Sequence, residues 1–132
     1  MTVLKSFSYN ATMTEQITLD PVEHARAIVH TASELQASDV VLLDVRQACD
    51  FADYFVILSA QSPRQIRNLI EEIEGVMRSQ SVRLHHMEGT NESGWILMDF
   101  GDLIVHVLAT HERDFYDLEH VWPKAIEMVR IQ

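Results

Sequence analysis

Apolar residues recur along the chain with two different spacings, and these spacings divide it into predicted helices and strands. A spacing of three to four residues, typical of a helix with one buried face, runs through 20–37 and 63–77. The segments predicted as strands are 40–45, 53–58, 82–88, 95–100 and 103–109. We therefore predict an α/β fold of the α+β kind, in which a mixed sheet of about five strands is flanked by helices.

Both predicted helices begin with the same kind of signal. Asp20, followed by Pro21 and three positions later by Glu23, has the spacing of a capping box. This first helix is expected to end near Ala37. The second helix begins at 62–65 (SPRQ), which repeats the pattern with serine as the capping residue.

The order of the elements predicts how the strands pair. Strand 53–58, the second helix and strand 82–88 follow one another, which favours a right-handed crossover and a parallel pair. Strands 95–100 and 103–109 are joined by Gly101-Asp102, a two-residue link typical of a hairpin. Because one pair is parallel and the other antiparallel, the sheet is predicted to be mixed.

The two ends of the chain differ in character. Residues 1–19 show no sustained period, so we predict a poorly ordered arm, with 20–132 forming a single domain. A chain that begins at Met13 is accordingly expected to fold and bind normally. The segment 115–129 keeps a helical period and is predicted to be helical, with a break or kink at Pro123.

Composition narrows the classes of function. The net charge of −10 argues against direct nucleic-acid binding, which requires clustered Lys and Arg, and it permits a basic protein partner. The single cysteine excludes an internal disulfide, and no apolar run approaches the roughly 18 residues that a membrane span needs. No secretion or organelle-targeting signal is recognisable, so a cytoplasmic location is expected.

Sequence motifs for catalysis are missing. The four glycines do not form a phosphate-binding loop, no serine lies in a Gly-x-Ser-x-Gly turn, and the seven histidines lack the spacing of metal ligands. We therefore predict no cofactor, no protein-held metal and no enzymatic activity. His106, inside an apolar strand, is expected to be a core histidine with a satisfied hydrogen bond, and Trp122 is expected to be a core residue.

The strand 95–100 and its hairpin carry the candidate site. Alternation along a strand puts Trp95, Leu97 and Asp99 on one face and the intervening apolar residues on the other, which the helices should cover. Asp99 and Asp102 flank the turn. As turn residues they would accept hydrogen bonds from backbone amides, and as paired carboxylates they would hold Mg²⁺.

Several segments together resemble one protein family, the Iojap family of ribosomal silencing factors. Their order and spacing match that family over most of the chain, although an alanine at position 60 stands where many members have glycine. In chain order, the segments are 53–57 (DYFVI), 62–65 (SPRQ), 88–89 (EG), 94–107 (GWILMDFGDLIVHV) and 113–122 (RDFYDLEHVW).

The resemblance implies a function and a fold. Members bind ribosomal protein fourteen on the large ribosomal subunit, near the surface that meets the small subunit. They thereby block subunit joining and slow translation when nutrients are scarce. The implied fold is similar to that of nucleotidyltransferases, but this chain lacks the Gly-Ser turn and the Asp-x-Asp pair of those enzymes. The resemblance therefore predicts partner binding without catalysis.

Six residues are candidates for partner binding. Trp95, Tyr54 and Tyr116 would serve as aromatic anchors, with packing in the core as the alternative for each. Two other functions stay open: a divergent nucleotidyltransferase using Asp99 and Asp102 with Mg²⁺, and a scaffold that forms homodimers. The complete candidate set is Tyr54, Trp95, Leu97, Asp99, Asp102 and Tyr116.

Overall fold

The computed structural model describes residues 20–90 and 92–132, and these residues fold around one sheet. The predicted arm, 1–19, and the proposed start at Met13 lie outside the described residues. In chain order, the elements are α1 (Pro21–Glu34), β1 (Ser38–Asp44), β2 (Tyr54–Ala60), α2 (Pro63–Ser79), β3 (His86–Glu88), β4 (Trp95–Asp99), β5 (Leu103–Ala109), α3 (Thr110–Tyr116), a 3₁₀ turn (Leu118–His120) and β6 (Ile126–Ile131).

The strands of the described residues form a six-stranded mixed sheet in the order β3-β4-β5-β2-β1-β6. The predicted α+β architecture is confirmed, with one strand more than expected. The hairpin prediction is also confirmed, since β4 and β5 are antiparallel and the Phe100 amide donates to the Leu103 carbonyl at 2.9 Å. The predicted parallel pair is wrong: β2 pairs in parallel with β5, and β4 and β5 separate β2 from β3.

The two long helices start as expected but are capped differently. At α2, Ser62 Oγ accepts from the Gln65 amide at 3.1 Å, while Gln65 Oε1 accepts from the Gln61 amide at 2.7 Å. At α1, the Asp20 side chain makes no capping hydrogen bond. This helix ends three residues earlier than predicted because Gln36 has a positive φ of 64°, which stops the helix.

Helices α1 and α2 cover one face of the sheet and bury most of its apolar residues. The apolar stripe of α2 packs there as its spacing predicts, with Ile66, Leu69 and Ile73 almost fully buried. The alternate residues 96, 98 and 100 of β4 and its hairpin belong to the same cluster. The predicted facing of β4 is therefore confirmed, and Trp95, Leu97 and Asp99 lie on the opposite face.

The second face of the sheet is covered by irregular segments instead of long helices. The connection 45–52 and the segment after α3 pack on a smaller apolar cluster that includes Phe55, Ile57 and Leu108. At its edge, Trp122 is half-buried with its ring centroid 4.8 Å from that of Phe55, so its predicted core position is confirmed. This thinner cover leaves part of the second face open.

The prediction of a helical tail is wrong. Helix α3 ends at Tyr116, because Asp117 adopts a left-handed conformation with φ of 50°. The chain then forms the 3₁₀ turn, passes Pro123 and pairs antiparallel with β1 as β6. Pairing with the free edge of β1 satisfies backbone groups of both strands, and Val129 packs against the helix-covered core.

Candidate partner-binding surface

Three of the six candidate residues meet in one open groove on the second face of the sheet. The groove has a volume of about 340 Å³ and lies at the end of the sheet where β3 and β4 pair. Trp95 and Leu97 form its floor from β4, and Tyr116 approaches from the end of α3. Its lining residues are Glu88, Gly89, Ser93, Trp95, Leu97 and Tyr116.

Aromatic rings form a stack that rises from the core to the surface at this groove. Trp95 is half-buried, and its ring centroid lies 4.7 Å from that of Tyr116. Tyr116 in turn contacts Phe115 edge-on at 5.0 Å. Tyr116 is 45 % exposed and Phe115 is 74 % exposed, so the outer end of the stack is open to a partner.

His106 supports the inner end of the stack. Its Nδ1 accepts a hydrogen bond of 3.2 Å from Trp95 Nε1, and its ring packs at 5.2 Å from the Phe55 ring. The side chain is only 4 % exposed, and burial lowers the pKa of the imidazole to about 4. The predicted core position is confirmed, but the hydrogen bonding is half satisfied: Nε2 is buried without a partner among the described residues.

The turn between β3 and β4 closes the groove on one side. A side chain at Gly89, which has φ of 96°, would place Cβ 2.0 Å from the Trp95 carbonyl oxygen, so only glycine permits this approach. Ser93 braces the same turn through hydrogen bonds with Thr90, including 2.7 Å from Ser93 Oγ to the Thr90 carbonyl. The backbone at Trp95 is therefore held tightly while its side chain faces outward.

One acidic side chain lines the groove and a second lies on the same sheet face. Glu88 lines the groove and its carboxylate lies 2.8 Å from Nε2 of His86. Asp99 lies on the same sheet face, where its carboxylate accepts from the Gly101 amide at 2.8 Å. The turn-stabilising role predicted for Asp99 is thereby confirmed. This face of the sheet combines apolar and aromatic surface with two carboxylates, which suits a partner that presents apolar and basic side chains.

The other two candidate residues lie elsewhere. Tyr54 is 7 % exposed in the helix-covered core, with the Arg46 guanidinium 5.4 Å above its ring. The structure therefore supports the core alternative for Tyr54. Asp102 lines a separate cleft with His24 and His85, and its backbone carbonyl accepts from the Asp53 and Tyr54 amides.

A metal centre is not formed by the part of the chain that the structure describes. No group of three or more His, Cys, Asp or Glu side chains lies close enough there to hold an ion. None of the described helices is long and apolar enough to cross a membrane.

Comparison with known proteins identifies the family. A family model described as "Ribosomal silencing factor during starvation" matches residues 18–132, which is most of the chain. This chain belongs to the ribosomal silencing factor family. The match includes every element that lines the groove, from β3 to α3.

Individual relatives of this silencing-factor domain agree with the family match. The chain is 36 % identical to the ribosomal silencing factor of Bacillus subtilis over 90 residues, covering 68 % of this chain and 76 % of that protein. It is 32 % identical to the chloroplast protein Iojap of Zea mays over 101 residues, covering 76 % and 44 % of the two chains. A crystal structure of a Bacillus halodurans protein, 30 % identical, superposes with a TM-score of 0.69 and covers 81 % of this chain and 99 % of that chain.

Sequence reasoning missed several residues of the groove in this silencing-factor domain. Glu88 ends β3 and Ser93 lies in the turn between β3 and β4, and their positions could not be known while the pairing of β3 was predicted wrongly. Phe115 was assigned to the stripe of a long helix, yet it is the most exposed large apolar residue described. The adjacent pair Phe115-Tyr116 was the available signal, since two successive aromatics on a helix do not share one buried face.

Proposed function

We propose that this protein is a non-catalytic silencing factor that binds the large ribosomal subunit through ribosomal protein fourteen. Bound there, it keeps the small subunit away and represses translation when nutrients are limiting. The observation that carries the proposal is the groove of Trp95, Leu97 and Tyr116, in which a half-buried indole is held beside exposed aromatic rings. A cytoplasmic site of action follows from the proposed partner.

The chemistry of the groove suits a ribosomal protein. Proteins that bind RNA carry clustered Lys and Arg to neutralise phosphates, and their surfaces are basic. The chain has a net charge of −10, and Glu88 and Asp99 lie on the groove face. Opposite charge accelerates encounter, and aromatic anchors such as Trp95 provide most of the binding energy at protein interfaces.

Silencing of this kind requires only that the protein occupies the surface through which the subunits join. It requires no chemical step. Two subunits that join through an extended surface cannot do so while a folded domain lies on part of it. A protein of 15.2 kDa is large enough to act as such an obstacle. The proposal therefore assigns no catalytic role to any residue, including Asp99 and Asp102.

The two tryptophans provide a matched test of the groove. Trp95→Ala should weaken binding to isolated large subunits by roughly 2–4 kcal/mol, because a central aromatic anchor is removed. Trp122→Ala should leave affinity within about twofold while lowering the unfolding temperature, since a half-buried ring of the core is lost. Co-sedimentation with purified large subunits and thermal unfolding measure both quantities. Unchanged affinity of the Trp95 variant would exclude the groove.

A second experiment tests silencing itself. At saturating protein, a sucrose gradient containing both subunits should show separate subunits in place of whole ribosomes. Whole ribosomes forming normally would contradict the proposal and favour the scaffold or enzyme alternatives. Transfer of labelled nucleotide that disappears in an Asp99→Ala variant would establish the nucleotidyltransferase alternative.

A further inference from the structure

The single polar atom of the Trp95 indole, Nε1, makes its hydrogen bond inside the protein. Trp95 Nε1 donates to Nδ1 of His106 at 3.2 Å, so this N–H is not available to a partner. The indole ring also contacts Tyr116, at 4.7 Å between centroids. The indole therefore contacts a buried acceptor and an exposed ring.

The same hydrogen bond determines which nitrogen of His106 carries the proton. An indole N–H can only donate, so Nδ1 of His106 must be unprotonated, and the neutral ring then carries its proton on Nε2. Nε2 is buried without an acceptor among the described residues. A buried unsatisfied N–H is unfavourable, and an aliphatic side chain of similar size would avoid that penalty. Packing alone thus gives no reason for a histidine at this position.

We propose that His106 is a positioning residue of the partner-binding groove: its Nδ1 holds the Trp95 indole in the orientation that the partner meets. The inference rests on the proposed function, because it deepens the role of the same groove. His106 itself is only 4 % exposed and does not reach the partner. It acts by preorganising Trp95, so that less side-chain freedom is lost on binding.

The proposal also specifies the chemistry of the partner at this point. Because Nε1 is committed to His106, the indole offers the partner carbon atoms only. The matching group is therefore apolar: an aliphatic side chain, or the methylene stem of a Lys or Arg whose charged head reaches toward Glu88. A partner carboxylate or carbonyl seeking the indole N–H would not be accommodated.

Two substitutions at His106 separate positioning from packing. His106→Leu removes the acceptor and should weaken binding to isolated large subunits by about five- to tenfold, as expected for one lost hydrogen bond. His106→Asn keeps an oxygen near the position of Nδ1 and should restore affinity to within about twofold of wild type. In a Trp95→Phe background, which lacks the indole N–H, His106→Leu should have no further effect beyond about twofold. An effect of His106→Leu that persists undiminished in that background would overturn the proposal.

The free protein tests the hydrogen bond without any ribosome. In uniformly ¹⁵N-labelled wild type, coupling across the hydrogen bond should connect the Trp95 indole nitrogen with an imidazole nitrogen, whereas Trp122 should show none. The Trp95 indole resonance should move in His106→Leu and that of Trp122 should not. Absence of the coupling in wild type overturns the proposal even if no His106 variant folds.

If Trp95→Ala binds normally, the proposed groove is wrong. If it binds weakly while His106→Leu binds like wild type, only the positioning role is wrong.

Discussion

Burial of His106 makes the stability of the protein depend on pH. Its pKa is lowered to about 4 in the folded state, while an unfolded chain has the ordinary value of 6.5. Between these two values the unfolded state binds more protons, so the free energy of unfolding rises with pH in this window. The stabilising contribution of the neutral imidazole is complete above pH 6.5 and is lost as pH falls toward 4.

We therefore predict that His106→Leu makes the protein less sensitive to acid. The lowered pKa corresponds to about 3 kcal/mol of unfolding free energy lost by the wild type between the two values. The free energy of unfolding of the variant should fall by about 3 kcal/mol less than that of the wild type. Carboxylates titrate in both proteins and contribute equally to the two losses. Urea unfolding at about pH 7 and about pH 4.5 measures the difference. Equal losses of unfolding free energy in the two proteins would show that burial does not lower the pKa of His106.

Single positions differ in how far their surroundings could be predicted. The facing of Trp95 followed from alternation along one strand, a local rule that any pleated strand obeys. The burial of Tyr54 depends on which helices lie above β2, and the groove around Trp95 depends on where α3 ends. Those facts arise from contacts between distant segments, which no local pattern contains. The hydrogen bond between Trp95 and His106 similarly requires that β4 and β5 pair in the observed register.

A buried ion pair fastens α3 to the segment that follows it. Arg113, whose side chain is 6 % exposed, donates to Glu119 at 2.9 Å and to Ser59 Oγ at 2.8 Å. Burial tends to raise the pKa of the Glu119 carboxyl, but its hydrogen bond to Arg113 and the positive charges of Arg113 and Arg130 outweigh this and leave the pKa below its ordinary value. Through Arg113, the segment after α3 is therefore linked both to α3 and to β2.

Two Glu→Gln substitutions test this link. Glu119→Gln should lower the free energy of unfolding by about 2–3 kcal/mol, because it leaves the Arg113 charge buried without its counter-ion. Glu127→Gln, which breaks a more exposed pair with Arg130, should change it by less than about 0.5 kcal/mol. Chemical unfolding of both variants provides the comparison. Equal effects would show that burial of Arg113 does not strengthen the pair.

The segment after α3 shows why a helical period can mislead. The apolar residues of 115–129 fit a helix, but the left-handed Asp117 and Pro123 divide the segment into short pieces. The last piece becomes β6 because β1 offers a free edge with unpaired backbone groups. In the second helix, by contrast, the period and the cap agree with the tertiary packing, and α2 forms as predicted.

Negative charge should steer the protein to its basic partner, and the charges near the groove should contribute most to this steering. Glu88→Gln and Glu72→Gln change the net charge of −10 equally, but Glu88 lines the groove and Glu72 lies exposed on α2, which covers the opposite sheet face. Screening limits exposed charges to about 10 Å at ordinary salt. We expect Glu88→Gln to slow association with large subunits several-fold and Glu72→Gln to slow it by less than about twofold.

Stopped-flow association at rising salt concentration provides the measurement. The wild-type rate should fall with salt, and the two variants should converge toward it as screening increases. If both variants slow association equally, the net charge of the whole surface steers the protein and the groove has no special part.

The α+β architecture of the whole molecule was predictable because helix and strand periods are local. The strand order was not, because it depends on the parallel pairing of the distant strands β2 and β5.

The position of β6 at the edge of the sheet has a consequence for how the protein folds during its own synthesis. Strand β1 can pair with β2 early, but its other edge stays open until residues 126–131 have left the exit tunnel, some ninety positions later. Helix α3 and the segment anchored by Glu119 emerge only shortly before. Native contacts between such distant positions form slowly and late. The groove, which needs Tyr116 at the end of α3, is therefore completed only after most of the chain has been synthesised.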